Sequence, residues 1–158
     1  MTPFHLLSLL LTLAQVSSQY NAALHSLSSV QKNDVLELMS YHSPPEALKS
    51  TLNALCIIFD RPESWEDCQQ LLLVKNFFEH LQYFDRDNIP KVKLKYLKKM
   101  IASKRLDSAF VGRGSQAALP ISSWLKALVA YHSAREVMLP HEEELKRARQ
   151  ALAEVSHQ

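Results

Sequence analysis

Residues 35–49, VLELMSYHSPPEALK, determine the fold, because they end one helix and begin another within a few positions. The apolar residues before the histidine have helical spacing, and Pro44 and Pro45 prevent that helix from continuing. Ser43 and Glu46 have the spacing of a capping box, which satisfies the free amides of a helix start. The sequence therefore predicts a second helix, capped by Ser43.

Two narrow apolar seams lie near the ends of the chain. Leu24 and Leu27 repeat at Val35 and Leu38, an offset of eleven residues that corresponds to a heptad with a four-residue stutter. A similar seam follows Pro140 and consists of Leu145, Ala148, Leu152 and Val155. A narrow seam suits a single partner helix, so we expect the two segments to pair antiparallel.

The predicted fold class is all-α, a compact bundle of short helices on the end of an antiparallel two-helix coiled coil. Residues 1–20 form an apolar N-terminal segment of uncertain role, and residues 21–42 the first coiled-coil strand. Residues 43–139 form the helical head, and residues 140–158 the second coiled-coil strand. Within the head, Ser64 is expected to cap a short helix, and a long helix is expected to begin near Pro120.

The composition excludes the common nucleotide sites. Only two glycines occur, Gly112 and Gly114, whereas phosphate-binding loops require more glycines at fixed spacing. Cys56 and Cys68 match no zinc-ligand spacing, and Cys56 is expected to be a buried, inert thiol. The histidines are scattered and no serine lies in a nucleophile elbow. We predict no catalytic residue, no metal and no cofactor.

Positive charge is concentrated between residues 88 and 113, which contain eight lysines and arginines and a single acidic residue, Asp107. Such a surface steers an acidic partner and loses affinity as salt rises. The alternative is a solvated helix face that serves only solubility. No recognition motif accompanies the lysines, so nucleic acid is not an expected partner.

The first eighteen residues carry no charged side chain and include an apolar stretch at 4–16. The stretch lacks the basic start of a secretory signal, and polar residues interrupt it. We predict no membrane span. A small secreted helical protein is kept as a lesser alternative.

Taken in order, these features resemble the stalk tip of dynein heavy chains, their microtubule-binding domain. The resemblance covers roughly residues 22–158 and is carried by residues 35–49, LCII at 55–58, Trp65, Asn76-Phe77, DRDNIP at 85–90 with the lysine-rich helix after it, VGRGS at 111–115, Pro120, Trp124, Tyr131 and Pro140. The DNIP turn at 87–90 is closer to axonemal than to cytoplasmic members. Residues 1 to about 20 resemble nothing in the family, so we expect a truncated product of such a heavy chain.

The resemblance implies a module that binds tubulin and is not an enzyme, because the family hydrolyses ATP in a distant ring that this sequence lacks. Its implied partners are the microtubule and the rest of a dynein heavy chain, and its implied location is the cytoplasm, the cytoskeleton or the ciliary axoneme. The implied microtubule-binding residues are Lys49, Arg86, Arg113 and Lys126.

Three positions depart from the family's basic pattern. Gln116 and Leu119 stand where axonemal relatives often carry lysine, and Ser123 stands where a cytoplasmic relative has one. The alternative to a microtubule-binding module is therefore a structural relic that folds in the same way but lacks tubulin affinity.

Overall fold

The computed structural model describes residues 2–156, and this part of the chain consists of helices and turns without a β-strand. The all-α prediction is confirmed. The α-helices are α1 (Pro3–Ser28), α2 (Lys32–Met39), α3 (Glu46–Ile58), α4 (Trp65–Leu72), α5 (Phe77–His80), α6 (Lys91–Ala102), α7 (Ser108–Gly114), α8 (Leu119–Met138) and α9 (Glu142–Ser156). Single 3₁₀ turns occupy Leu81–Tyr83, Gln116–Ala118 and Leu139–His141.

Helices α1 and α8 form an antiparallel pair that runs from the head into the arm. Near the head, Tyr20 of α1 contacts Trp124 and Tyr131 of α8. Farther out, a separate apolar cluster joins the two helices and the start of α9; it comprises Leu6, Leu9, Leu10, Leu13, Val16, Ala134, Met138 and Leu145. From the head outward, the contacting residues have falling numbers in α1 and rising numbers in α8 and α9, so the helices run antiparallel.

The predicted segments 1–20 and 21–42 differ from the helices that the structure shows. Helix α1 runs without a break through residue 20, so residues 3–20 of the apolar segment are part of the first long helix. That helix ends at Ser28, and α2 packs instead on α4 and on the 3₁₀ turn at residues 116–118. Leu27 and Leu38 both lie in the head core. The expected continuous strand 21–42 is therefore corrected to two helices.

A capping interaction begins α2 after the break that follows α1. The carboxylate of Asp34 accepts a 2.8 Å hydrogen bond from the backbone N–H of Gln31, which satisfies a free amide at the start of α2. The offset of eleven residues in the apolar pattern therefore reflects two helix ends that enter one core, and a stutter in a single helix does not account for it.

Of the second predicted seam, Leu145 is buried, Ala148 is partly buried, and the last two residues are exposed. Leu145 is buried against α1, whereas Leu152 is 52 % and Val155 69 % exposed. The apolar residues of α1 between 6 and 16 pack on the end of α8 and the start of α9.

Helix α3 lies at the centre of the head and buries most of its residues. The predicted capping box at its start is wrong: Pro45 occupies the N-cap position and no side chain caps the helix. Glu46 is consequently the first helical residue, two positions too early to bond back to a capping residue. The fixed backbone angle of proline, together with the amide it lacks, starts the helix without a hydroxyl cap.

The other local boundary predictions are confirmed. The Ser64 hydroxyl accepts a 3.1 Å hydrogen bond from the Asp67 N–H at the start of α4. Helix α8 carries Pro120 in its first turn, where a missing amide costs nothing. A 3₁₀ turn containing Pro140 separates α8 from α9.

Candidate functional site

The short helix α7 packs against both α8 and the start of α3. At its end, a Cβ atom on Gly114 would lie 2.9 Å from the Ala47 Cβ, closer than side chains approach one another, so glycine is required here. At its beginning, the Lys126 Nζ donates a 3.3 Å hydrogen bond to the Ser108 Oγ. The seven residues of α7 rise about 10 Å at 1.5 Å per residue. Helix α7 therefore spans about 10 Å between its contact with α8 and its contact with α3.

Three of the four residues predicted to bind microtubules lie on these adjoining helices. Lys49 follows the α3 residues that contact Gly114, and Arg113 immediately precedes that glycine. Both side chains are exposed, and neither forms an ion pair within residues 2–156. Lys126 is half-buried against the start of α7. We call the surface carrying Lys49, Arg113 and Lys126 the basic surface.

Arg86, the fourth predicted residue, is placed differently. Its guanidinium carbon lies 4.0 Å from the centre of the Tyr131 ring and 4.7 Å from the centre of the Tyr20 ring. Its carbonyl oxygen accepts a 2.6 Å hydrogen bond from the Nε2 of His132. Cation–π attraction between the two rings holds this side chain in the interior of the contact. In the structure Arg86 fastens its turn to the α1–α8 pair, and its contact with microtubules stays a prediction.

The next residue, Asp87, completes this fastening. Its Oδ1 accepts a 2.6 Å hydrogen bond from the Tyr131 hydroxyl and pairs with the Arg135 guanidinium. The hydrogen bond from Tyr131, followed by the nearby charges of Arg135 and Arg86, lowers the pKa of the Asp87 carboxyl below its usual value. The carboxylate thus remains charged, and the turn is joined to α8 by its side chain as well as by its backbone.

Several lysines and arginines of the basic segment 88–113 have intramolecular partners. The Lys93 Nζ lies 3.0 Å from Asp60 and donates a 2.9 Å hydrogen bond to the Ile58 carbonyl, which closes the end of α3. Two longer ion pairs join Lys98 to Glu136 and Arg105 to Glu46. Part of the positive charge therefore stabilises the head.

A family model described as the microtubule-binding stalk of dynein motor matches residues 11–158. The chain belongs to this dynein stalk family. The match starts at residue 11, so the prediction that residues 1 to about 20 resemble nothing in the family is wrong for residues 11–20. The matched family model represents the microtubule-binding stalk of the motor, which is a different part from its ATPase domain.

Several dynein heavy chains are similar to this chain. The "Dynein-1-beta heavy chain, flagellar inner arm I1 complex" of Chlamydomonas reinhardtii is 30% identical over 81% of the chain and 3% of its own length. "Dynein axonemal heavy chain 14" of Homo sapiens is 30% identical over 90% of the chain and 4% of its own length. The chain therefore spans only a few hundredths of the length of these curated relatives.

The dynein stalk fold is also found in a solved structure. The "Microtubule Binding Domain of DYNEIN-C" superimposes with a TM-score of 0.71 at 23% identity, over 81% of this chain and 92% of that one. This similarity confirms a helical head on a two-helix arm.

Sequence reasoning missed the two tyrosines that enclose Arg86. Tyr20 is the last residue of the predicted N-terminal segment 1–20, and Tyr131 enters the sequence analysis only among the residues that carry the resemblance. No spacing rule joins residues so far apart along the chain. The one signal in the sequence is the leucine content of this segment, which indicates a helix face that packs on other apolar residues. In the structure these leucines pack on α8 and α9.

The described residues contain no group of three or more side chains suited to holding a metal ion. Within residues 2–156, every helix is too short or too polar to cross a membrane.

Proposed function

We propose that this chain binds microtubules through the basic surface, with Lys49 and Arg113 as the principal contacts and Lys126 at its edge. One observation carries the proposal: these residues lie on α3, α7 and α8, and α7 contacts both of the other helices. The chain also belongs to a microtubule-binding family. Arg86 is left out because its guanidinium lies between two tyrosine rings.

Electrostatics supports an acidic partner such as the tubulin polymer. Exposed lysine and arginine side chains without internal ion pairs keep their charge available for a partner, and they increase the rate of encounter with a negative surface. Each such contact is screened over about 8–10 Å at physiological salt. Binding that depends on the basic surface should therefore weaken as salt rises.

We infer that the chain itself performs no ATP hydrolysis and that a longer heavy chain would supply it. The family match is to a stalk, and the two glycines of the sequence cannot form a phosphate-binding loop of the usual kinds. The proposed location is the cytoskeleton, including the ciliary axoneme, since similar chains bear flagellar and axonemal names. The secreted alternative is not favoured, because leucines of residues 4–16 pack in the arm.

Co-sedimentation with microtubules at two salt concentrations tests the proposal. The wild-type chain should pellet with microtubules at low salt and less at high salt. Lys49→Glu should weaken low-salt binding by about tenfold, because it replaces attraction with repulsion at one of the principal contacts. Lys146→Glu is the matched control, since Lys146 is exposed on α9, which contacts the arm. Circular dichroism should show the same helicity in all three proteins.

Two results would contradict the proposal. Equal losses of binding in Lys49→Glu and Lys146→Glu would indicate a response to net charge without a defined surface. A helical wild-type chain that fails to pellet at low salt would favour the structural relic.

A further inference from the structure

The two cysteines of the chain meet in the core of the head. Cys56 lies on α3 and Cys68 on α4, and their sulfur atoms are 3.1 Å apart. The two side chains are 0 % and 1 % exposed, respectively. Both are free thiols in the structure. Formation of a disulfide requires the sulfurs to approach by about 1 Å, to a bond of about 2.05 Å.

The surroundings give the two thiols different roles. Cys68 also lies 3.5 Å from the Asn53 Oδ1, an acceptor, so its proton has two partners to which it can be donated. The hydrogen bond from Cys68 lowers the pKa of the Cys56 thiol, whereas the same bond, followed by burial, raises the pKa of Cys68. Cys56 is therefore the sulfur that deprotonates first, and the thiolate is the reactive form.

We propose that Cys56 and Cys68 are a reversible oxidation site, at which hydrogen peroxide converts the two thiols into an intramolecular disulfide between α3 and α4. The Cys56 thiolate attacks one peroxide oxygen, the O–O bond breaks, and the hydroxide released takes up the proton that Cys56 lost. The Cys68 sulfur then attacks the Cys56 sulfenic acid, and the second oxygen leaves as water with the Cys68 proton. Two thiols lose two electrons in total, and one peroxide becomes two waters.

A small oxidant is required because both sulfurs are buried. Helix α4 has eight residues and presents Cys68, Leu71 and Leu72 to the core, so its local opening is the route by which peroxide reaches the thiols. The reaction should accordingly be slower than that of an exposed thiol. It should also be intramolecular, since the second sulfur is already in contact with the first.

The disulfide would close residues 56–68 into a ring and hold α4 on α3. A ring of this size removes conformational freedom from the unfolded chain and should raise the melting temperature, on the order of 5 °C. It should also slow amide hydrogen exchange in α4, because the opening that exposes those amides is then restrained.

The test uses the reduced full chain under native conditions. After treatment with hydrogen peroxide, the protein is unfolded in N-ethylmaleimide and its intact mass is measured. We expect a monomer that has lost two hydrogen atoms and takes up no maleimide, and dithiothreitol should restore both alkylation sites. Peptide mapping should place the link between Cys56 and Cys68, and the oxidised protein should melt at the higher temperature.

Cys68→Ala is the matched control, because it keeps Cys56 but removes its partner. Treated in the same way, it should lose no hydrogen pair and show no increase in melting temperature. The wild-type measurement decides the question without this variant. Two free thiols after treatment, oxygen adducts in place of the link, or a link between two chains would each overturn the proposal.

Discussion

The Tyr131 hydroxyl donates a 2.6 Å hydrogen bond to the Asp87 Oδ1 and thereby joins the middle of α8 to the turn that precedes α6. The same tyrosine presents its ring to the Arg86 guanidinium, so one side chain of α8 holds two successive residues of the turn. Tyr20 of α1 closes the other side of Arg86. The turn at residues 85–90 is therefore in contact with both α1 and α8.

Asp87→Asn should lower stability at neutral pH but not in acid. The folded-state pKa of Asp87 lies below the unfolded value of about 3.9, mainly through the Tyr131 hydrogen bond, so its contribution is present above that value and is lost as pH falls through the folded pKa. Urea unfolding at a series of pH values should show the variant and the wild type converging at the acid end.

Glu79→Gln is the control for this experiment, because Glu79 is an exposed carboxyl on α5 that forms no ion pair within the described residues. Its unfolding curve should follow the wild type over the whole pH series. A constant difference between Asp87→Asn and the wild type at all pH values would show that the charge of Asp87 is not involved.

Arg86→Lys should destabilise the head by about 1–2 kcal/mol, because an ammonium group does not stack between two rings as a guanidinium does. The positive charge is retained, so microtubule affinity measured well below the melting temperature should stay at the wild-type level. Chemical unfolding and co-sedimentation on the same preparation measure the two effects. Wild-type stability with reduced affinity would return Arg86 to the microtubule contacts.

Arg86 also shows where prediction from the sequence reached its limit. Helix boundaries set by one or two residues could be predicted, as at Ser64, Pro120 and Pro140, because caps and prolines act on the backbone next to them. The environment of Arg86 depends on Tyr20, sixty-six positions earlier, and no local rule selects that partner. The exposure of Lys49 and Arg113 was easier to predict, because a charged side chain only has to avoid burial, and their contact with microtubules stays a prediction.

The choice of helix partner was beyond the local pattern for the same reason. A narrow apolar stripe such as Leu24, Leu27, Val35 and Leu38 is compatible with a coiled-coil seam and with two helix ends entering one core. The break at residues 29–31 decides between them, and it follows from packing on α4 and on the turn at 116–118. The partial burial of the leucines before residue 20 was decided in the same way, by the apolar face of α8 and α9.

Gly114→Ala should cost about 1–3 kcal/mol, because the added methyl group meets the Ala47 Cβ at 2.9 Å and the Leu48 backbone nitrogen at 3.4 Å. Relief of the clash moves α7 away from α3, so the spacing between Lys49 and Arg113 changes and microtubule affinity should fall as well. Urea unfolding and co-sedimentation provide the two measurements.

Gly112→Ala is the matched variant in the same helix. Its new methyl group would meet the end of the Gln116 side chain at 3.3 Å and the Leu119 methyl groups at 3.6 and 3.7 Å, which can adjust. Alanine also favours the helical backbone, so this variant should equal or exceed the wild type in stability. Equal destabilisation by the two substitutions would show that the contact with α3 is not the cause.

Gln116→Lys should strengthen microtubule binding by about two- to fivefold at low salt, with the gain fading as salt rises. Gln116 is exposed in the turn between α7 and α8, three residues after Arg113, and its side chain makes one 3.3 Å hydrogen bond to the Gly112 carbonyl. The new charge therefore extends the basic surface at little structural cost. Gln150→Lys adds the same charge to an exposed position on α9 and should leave affinity unchanged. An equal gain in both variants would mean that net charge, and not the basic surface, governs binding.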